Sequence, residues 1–208
     1  MRPETLLAKF DLRGLNYEQM HNGGGKGMFS LEEQLAIVGV SWKESPVGFL
    51  VLFVEVLANK ASLKLLQQAV KVELAELTNG QRGQKSDKAF EAMVTAAIIE
   101  ATQPLGQICT SCGGTGKYKN ASYNLRKCQH CNDGRVEWSV ETRFATMCST
   151  GFACTYTYFK KHYHPLLDQL TKWLADKRNA AMLVLMERIE REERQCLYSG
   201  SLSTNYSL

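Results

Sequence analysis

The residues with the clearest chemistry are four cysteines. Cys109, Cys112, Cys128 and Cys131 stand in the pattern C-x2-C-x15-C-x2-C between Ile108 and Arg135. Two thiolates three positions apart on a tight turn can both face one ion at ~2.3 Å, and two such turns joined by a hairpin complete a tetrahedron. The chain must double back sharply after each pair. Glycines stand at both places, in Cys112-Gly113-Gly114-Thr115-Gly116 and in Asn132-Asp133-Gly134. Lys117-Tyr118-Lys119 and Leu125-Arg126-Lys127 can pair as short strands around the turn Asn120-Ala121-Ser122. The expected cofactor is therefore one structural Zn2+, with all four positions filled by protein and no opening for a catalytic water.

Two other readings of the cysteines are weaker. A disulfide scaffold suits a small exported chain, whereas this one has an odd total of seven cysteines and no leading apolar segment after Met1-Arg2-Pro3. A redox C-x-x-C needs an exposed thiol of low pKa, which four metal-bound thiolates do not leave. His130 lies within the second knuckle and is expected to face solvent or to support a ligand from behind. Cys148, Cys154 and Cys196 lack paired spacing and read as small buried or incidental thiols.

A second group of polar residues follows the knuckles. Ser139 to about Cys148 can form a short helix with Phe144, Ala145 and Cys148 inward. Ser149-Thr150-Gly151 then turns the chain into a second helix from about Ala153. Two short helices around a glycine-containing turn are the skeleton of a helix-turn-helix. The second helix carries Thr155, Tyr156, Thr157, Tyr158, Lys160, Lys161 and His162, and Arg143 projects from the first. Hydroxyls there can meet phosphates or base edges, and the cations neutralise phosphates. The plain alternative is a solvated polar face. No nucleophile–base or paired-carboxylate motif stands out, so no enzyme is expected.

These groups need a frame. At 208 residues and 44% hydrophobic, the chain can build a substantial core without disulfides. A net charge of +4 permits a polyanionic partner without demanding one. The most apolar run, Val47 to Ala58, is broken by Gly48 and Glu55 and falls short of the ~20 residues that cross a bilayer, so no membrane partner is expected.

The fold class expected is mainly α: a helical body with an inserted four-cysteine zinc hairpin module and a helix-turn-helix-like segment. Residues 1–29, with the glycine run from Gly23, read as a flexible arm. Residues 30–104 read as the helical body. Its first helix is capped by Ser30-Leu31-Glu32-Glu33, its second begins at Pro46, and its third runs from about Ser62 to Leu77 with Leu65, Leu66, Ala69, Val70 and Leu77 inward before Asn79-Gly80. A polar loop leads to a fourth helix, capped by Ser86 and carrying Phe90, Met93, Val94, Ala97 and Ile98. Residues 105–137 form the zinc module. Residues 138–195 hold the helix-turn-helix-like segment and, after Pro165 breaks or restarts the helix, a long bracing helix with Leu166, Leu167, Leu170, Trp173, Leu174, Met182, Leu183, Leu185, Met186 and Ile189. Residues 196–208 read as a disordered tail.

With that pattern in place, the chain resembles the lambda-type Q late-gene antitermination proteins of lambdoid bacteriophages over roughly Ser30 to Lys177. The resemblance rests on Pro46-Val47-Gly48-Phe49, on Pro104-Leu105-Gly106-Gln107-Ile108-Cys109-Thr110-Ser111-Cys112-Gly113-Gly114-Thr115-Gly116, and on Arg143-Phe144-Ala145-Thr146-Met147 and Pro165-Leu166-Leu167-Asp168. The loop between the knuckles is shorter than in that family, the interval from Met147 to Pro165 is longer, and the N-terminal arm does not match. The resemblance implies a cytoplasmic factor in a bacterial host that binds late-promoter DNA and engages paused RNA polymerase through its sigma factor and flap. It would then let polymerase read through pauses and terminators by acting at the RNA exit channel. Carried over by residue, Cys109, Cys112, Cys128 and Cys131 would hold zinc, and Arg143, Thr155, Thr157, Lys160, Lys161 and His162 would meet DNA. Lys117, Lys119, Arg126 and Arg135 would touch a nucleic-acid backbone, with nascent RNA and a host elongation factor as further partners. C-x-x-C-G-G-T-G also resembles one repeat of the zinc region of DnaJ-type co-chaperones, which bind unfolded polypeptides. That family stacks several repeats and carries a His-Pro-Asp motif, and neither is present here.

Overall fold

The structure, a computed structural model, describes residues 39, 42–78, 87–119 and 123–202. The expected arm, the cap at Ser30, the stop at Asn79-Gly80, the cap at Ser86, the turn Asn120-Ala121-Ser122 and residues 203–208 lie outside them. The described chain is mainly helical with two small two-stranded sheets. The order is α1 (Pro46–Leu57), α2 (Lys60–Thr78), α3 (Asp87–Ala101), β1 (Gln107–Ile108), β2 (Lys117–Lys119), β3 (Leu125–Lys127), β4 (Arg135–Val136), α4 (Val140–Ser149), α5 (Tyr156–Tyr158), a π-turn (Phe159–Tyr163) and α6 (His164–Leu202). No helix among the described residues is long and apolar enough to cross a membrane. The chain divides into two compact units, Met1–Leu63 with Ala175–Leu208, and Lys64–Leu174.

In the first unit, α1 starts with Pro46 in its first turn, where a missing N–H costs nothing. Its Phe49 and Leu52 are buried against Ala181, Leu185 and Ile189 of α6, with Trp42, Phe53, Val56 and Met182 packed around them. The approach of the two helices depends on Gly48: a Cβ there would overlap the Lys177 carbonyl oxygen and lie 2.7 Å from the Ala181 Cβ. Close by, Arg178 grips Glu55 with two bonds, Nε to Oε2 at 2.6 Å and a terminal nitrogen to Oε1 at 2.8 Å. Leu183 and Met186, expected inward, are exposed, because the buried row runs Ala181, Leu185, Ile189 at intervals of one turn. Helix α6 continues past Cys196, where a disordered tail is expected, to Leu202. A helical ladder already nucleated by packing extends at little further cost.

In the second unit, α2 buries Leu66, Val70 and Leu74, a strict i, i+4, i+8 row that leaves Leu65 half-exposed at 52%. Helix α3 is alanine-rich on its buried side, with Ala89, Ala92, Ala96 and Ala97 around Met93, and it packs against α4. Ser139 caps α4: its hydroxyl accepts from the Thr142 amide at 3.2 Å, and the Thr142 hydroxyl accepts from the Ser139 amide at 2.7 Å. Thr146 and Met147 are buried in α4 and Ala145 is exposed, so the inward face is turned from the one expected. The sheets pair β1 with β4 and β2 with β3, both antiparallel. They anchor to the end of α3, where the Trp138 Nε1 donates to the Gln103 carbonyl at 2.9 Å.

The segment expected as a helix-turn-helix is built differently. Its first helix is present, but its second is a single turn, α5, running through the π-turn directly into α6. Of the two outcomes expected at Pro165, a break or a restart, the structure has the restart: Pro165 stands in the first turn of α6, directly after the π-turn. It has no N–H for the carbonyl four residues back, and its ring crowds that carbonyl. The π-turn inserts the needed slack, with the His164 amide donating to the Phe159 carbonyl five residues earlier.

Candidate metal centre and candidate nucleic-acid face

The four cysteines expected to meet do so. Their sulfurs all lie within 4.8 Å of one another. The pair Cys109–Cys128 is separated by 4.0 Å and the pair Cys112–Cys131 by 3.6 Å. A tetrahedron with sulfur ~2.3 Å from its centre has edges of about 3.8 Å, so the cluster fits one thiolate-bound ion. A disulfide needs sulfurs at about 2.05 Å, and all four cysteines are free.

Two knuckle turns hold the sulfurs, and each is tied to the other. The Cys109 amide donates to the Gly134 carbonyl at 2.9 Å, and the Cys128 amide donates to the Gly116 carbonyl at 2.8 Å. The first cysteine of each knuckle is thus pinned by the glycine that ends its counterpart. Gly134, at φ +89°, backs so closely onto the first knuckle that a Cβ would overlap the Gly114 carbonyl. This cross-bracing explains why the pseudo-repeated glycines of the sequence are needed on both sides.

Charge in the cluster is unevenly held. Loss of water opposes ionisation of Cys112, yet hydrogen bonds from the Gly116 backbone, the Cys131 and Cys109 thiols and the Gly114 backbone bring it down to about 6. Loss of water and the hydrogen bonds to Cys112 and Cys128 push Cys131 up to about 12. Four thiolates together need a cation among them.

The cations expected on the hairpin are at its surface. Lys117 stands opposite Lys127, Tyr118 opposite Arg126 and Lys119 opposite Leu125, and all six are exposed. Like charges facing across a ladder repel, and the hairpin from Thr115 to Cys131 has no acidic residue of its own. Arg135 is half-buried, with one guanidinium nitrogen donating to the Gly106 carbonyl at 3.2 Å. His130 is exposed, beside a shallow depression that it lines with Ser111, Tyr118 and Gln129.

Arg143 is not on the surface with the other residues expected to meet DNA. Its Nε and one terminal nitrogen donate to both oxygens of Glu100 at 2.8 and 2.6 Å, and the other terminal nitrogen donates to Asp168 at 3.0 Å. Its donors are committed inside the unit, which corrects the expectation of a phosphate contact. A sequence offers no spacing signal for partners 43 and 25 positions away. Thr155, Thr157, Lys160, Lys161 and His162 are exposed on α5 and the π-turn or immediately before it. The Thr155 hydroxyl also caps α5 by accepting from the Tyr158 amide at 3.3 Å.

Sequence reasoning missed an aromatic network in this segment. Phe159 is fully buried, its ring 5.3 Å from Phe144 and 5.9 Å from His164. Tyr156 meets Phe144 edge-on at 5.3 Å and donates its hydroxyl to Glu141 at 2.8 Å. Cys148 and Cys154, read as small buried or incidental thiols, are partly buried neighbours across the turn; burial and the adjacent Cys148 both push the Cys154 thiol up. No protein-family model matches the chain, and no curated protein matches it either.

Proposed function

We propose that the chain is a zinc-containing, DNA-binding transcription antitermination factor rather than an enzyme. The observation that carries the reading is the pairing of a four-thiol cluster with exposed cations, Lys117, Lys119, Arg126 and Lys127 on the hairpin and Lys160 and Lys161 on the π-turn, in stretches whose own sequences hold no acidic residue. All-thiolate donors in a closed tetrahedron favour zinc in a structural role, because no position is left for water or substrate. Zinc would add a double positive charge to the sulfurs and hold the knuckles together. The hairpin lysines, with Arg126, would then meet a phosphate backbone, and Thr157, Lys160, Lys161 and His162 would meet promoter DNA.

On this reading the factor loads at a late promoter onto paused RNA polymerase, through its sigma factor and flap. It then obstructs hairpin formation at the RNA exit channel, a task of binding and placement with no covalent step. The similarity to lambda-type Q proteins noted in the sequence supports it. Transcription through a terminator downstream of a cognate late promoter tests it: readthrough should rise when the folded protein is added, and equal termination with and without it rejects the reading.

Tyr123 and Leu125, 83% and 66% exposed on the hairpin, favour a second reading as a co-chaperone-like binder of unfolded chains. Salt separates the two. Phosphate binding weakens steeply as salt rises, while capture of apolar segments does not.

A further inference from the structure

We propose that the outer surface of the π-turn is a stacking platform for unpaired bases of single-stranded DNA, an inference that rests on the DNA reading above and specifies the form of DNA taken. The turn sorts its aromatic rings. Phe159 points into the core, and its neighbour Tyr158 is 48% exposed. His162, one turn on, is exposed and lies 4.4 Å from Tyr158, ring centre to ring centre, at an interplanar angle of 35°. Tyr163 meets Tyr158 at 5.5 Å and is itself held edge-on by Phe152 at 5.6 Å. Tyr158 is thus restrained by ring contacts to both His162 and Tyr163, so little entropy is lost when a base lies on it.

The surroundings supply the charge complement. Lys160 and Lys161 sit between the two exposed rings in sequence and are themselves exposed; the segment Gly151 to Leu167 has no acidic residue of its own, and Glu141, which interacts with Lys160, already accepts a bond from the Tyr156 hydroxyl. Ring faces interleaved with cations are what a single strand requires, since its bases offer open π-faces and its phosphates run alongside. A duplex offers phosphates to the lysines but keeps base faces stacked on one another, so it leaves Tyr158 and His162 without a partner. The occupant is DNA rather than RNA because the reading places the protein at a promoter, where DNA strands open.

The test is fluorescence anisotropy with the full, metal-loaded chain and three labelled probes of one sequence, each about a dozen nucleotides: single-stranded DNA, its duplex and the matching RNA. Tyr158→Ala should weaken single-strand binding by roughly 5- to 150-fold, the worth of one base–aromatic stack, and leave duplex binding unchanged. Tyr158→Phe should retain it. Lys160→Gln with Lys161→Gln should weaken single-strand and duplex binding together and reduce the salt slope. An unaltered melting curve for Tyr158→Ala excludes loss of fold as the cause. Single-strand affinity unchanged by Tyr158→Ala, or tighter binding of the RNA, overturns the inference. Duplex binding without single-strand binding overturns the inference alone, and loss of affinity for all three probes in the native protein overturns the DNA reading as well.

Discussion

Replacing Arg143 separates a structural arginine from a DNA contact. In the structure its guanidinium is held by Glu100 and Asp168, with side-chain exposures of 17% for Arg143, 12% for Glu100 and 31% for Asp168. Removing one partner of a fully buried pair costs roughly 3–5 kcal/mol, because the other charge is stranded. Partial exposure, greatest at Asp168, allows water to recover some of that, so Arg143→Ala should cost about 2–3 kcal/mol. With a urea slope of about 1–3 kcal/mol per molar, the midpoint should fall by roughly 0.7–3 M. Circular dichroism during urea unfolding of the metal-loaded chain measures this. Substituting Arg143→Met together with Glu100→Leu removes the more buried pair and refills its volume, while Asp168 keeps its bridge to Lys172, and should recover most of the loss. Arg143→Ala with an unchanged midpoint and sharply reduced duplex DNA binding would refute the reasoning and restore Arg143 to the DNA face.

Two other perturbations probe the frame. Gly48→Ala should destabilise the first unit by about 1–3 kcal/mol through overlap with the Lys177 carbonyl, although glycine to alanine within a helix ordinarily stabilises; a raised melting temperature contradicts the close approach. Asp168 is held below its ordinary value of 3.8, first by Lys172 and, against the cost of burial, by Arg143. A carboxyl lowered in the folded state contributes stability above its unfolded pKa and loses it as pH falls through the folded value. Asp168→Asn should therefore be less stable than the native protein near neutral pH, with the gap closing on acidification below about pH 3.8; a gap that is constant with pH contradicts the ion pair.

The parts of the fold legible in the sequence are those set by short-range rules. The cysteine spacing, the glycines of the knuckles, the strands Lys117–Lys119 and Leu125–Lys127 and the short helix after Ser139 all depend on neighbours within a few residues, and the structure has each of them. Pro165 was legible only as a break or a restart of the helix, and the π-turn that carries the helical run up to it has no signal in local spacing. The role of Arg143 was hidden for a similar reason: its partners come from α3 and α6, and a cation reads the same in sequence whether it faces solvent or a buried carboxylate. The inward rows of α2 and α6 were legible as helical stripes but not to the residue, since a stripe wide enough to include Leu65 or Leu183 is narrowed only by what packs on it.

Elemental analysis of the freshly purified, reduced protein tests the central claim most directly. Four sulfurs spaced for a tetrahedron predict one zinc per chain. They also predict loss of that zinc and collapse of the knuckles when Cys128→Ser is introduced. Protein that contains no transition metal, or a Cys128→Ser variant that keeps its full complement and its melting profile, contradicts the account.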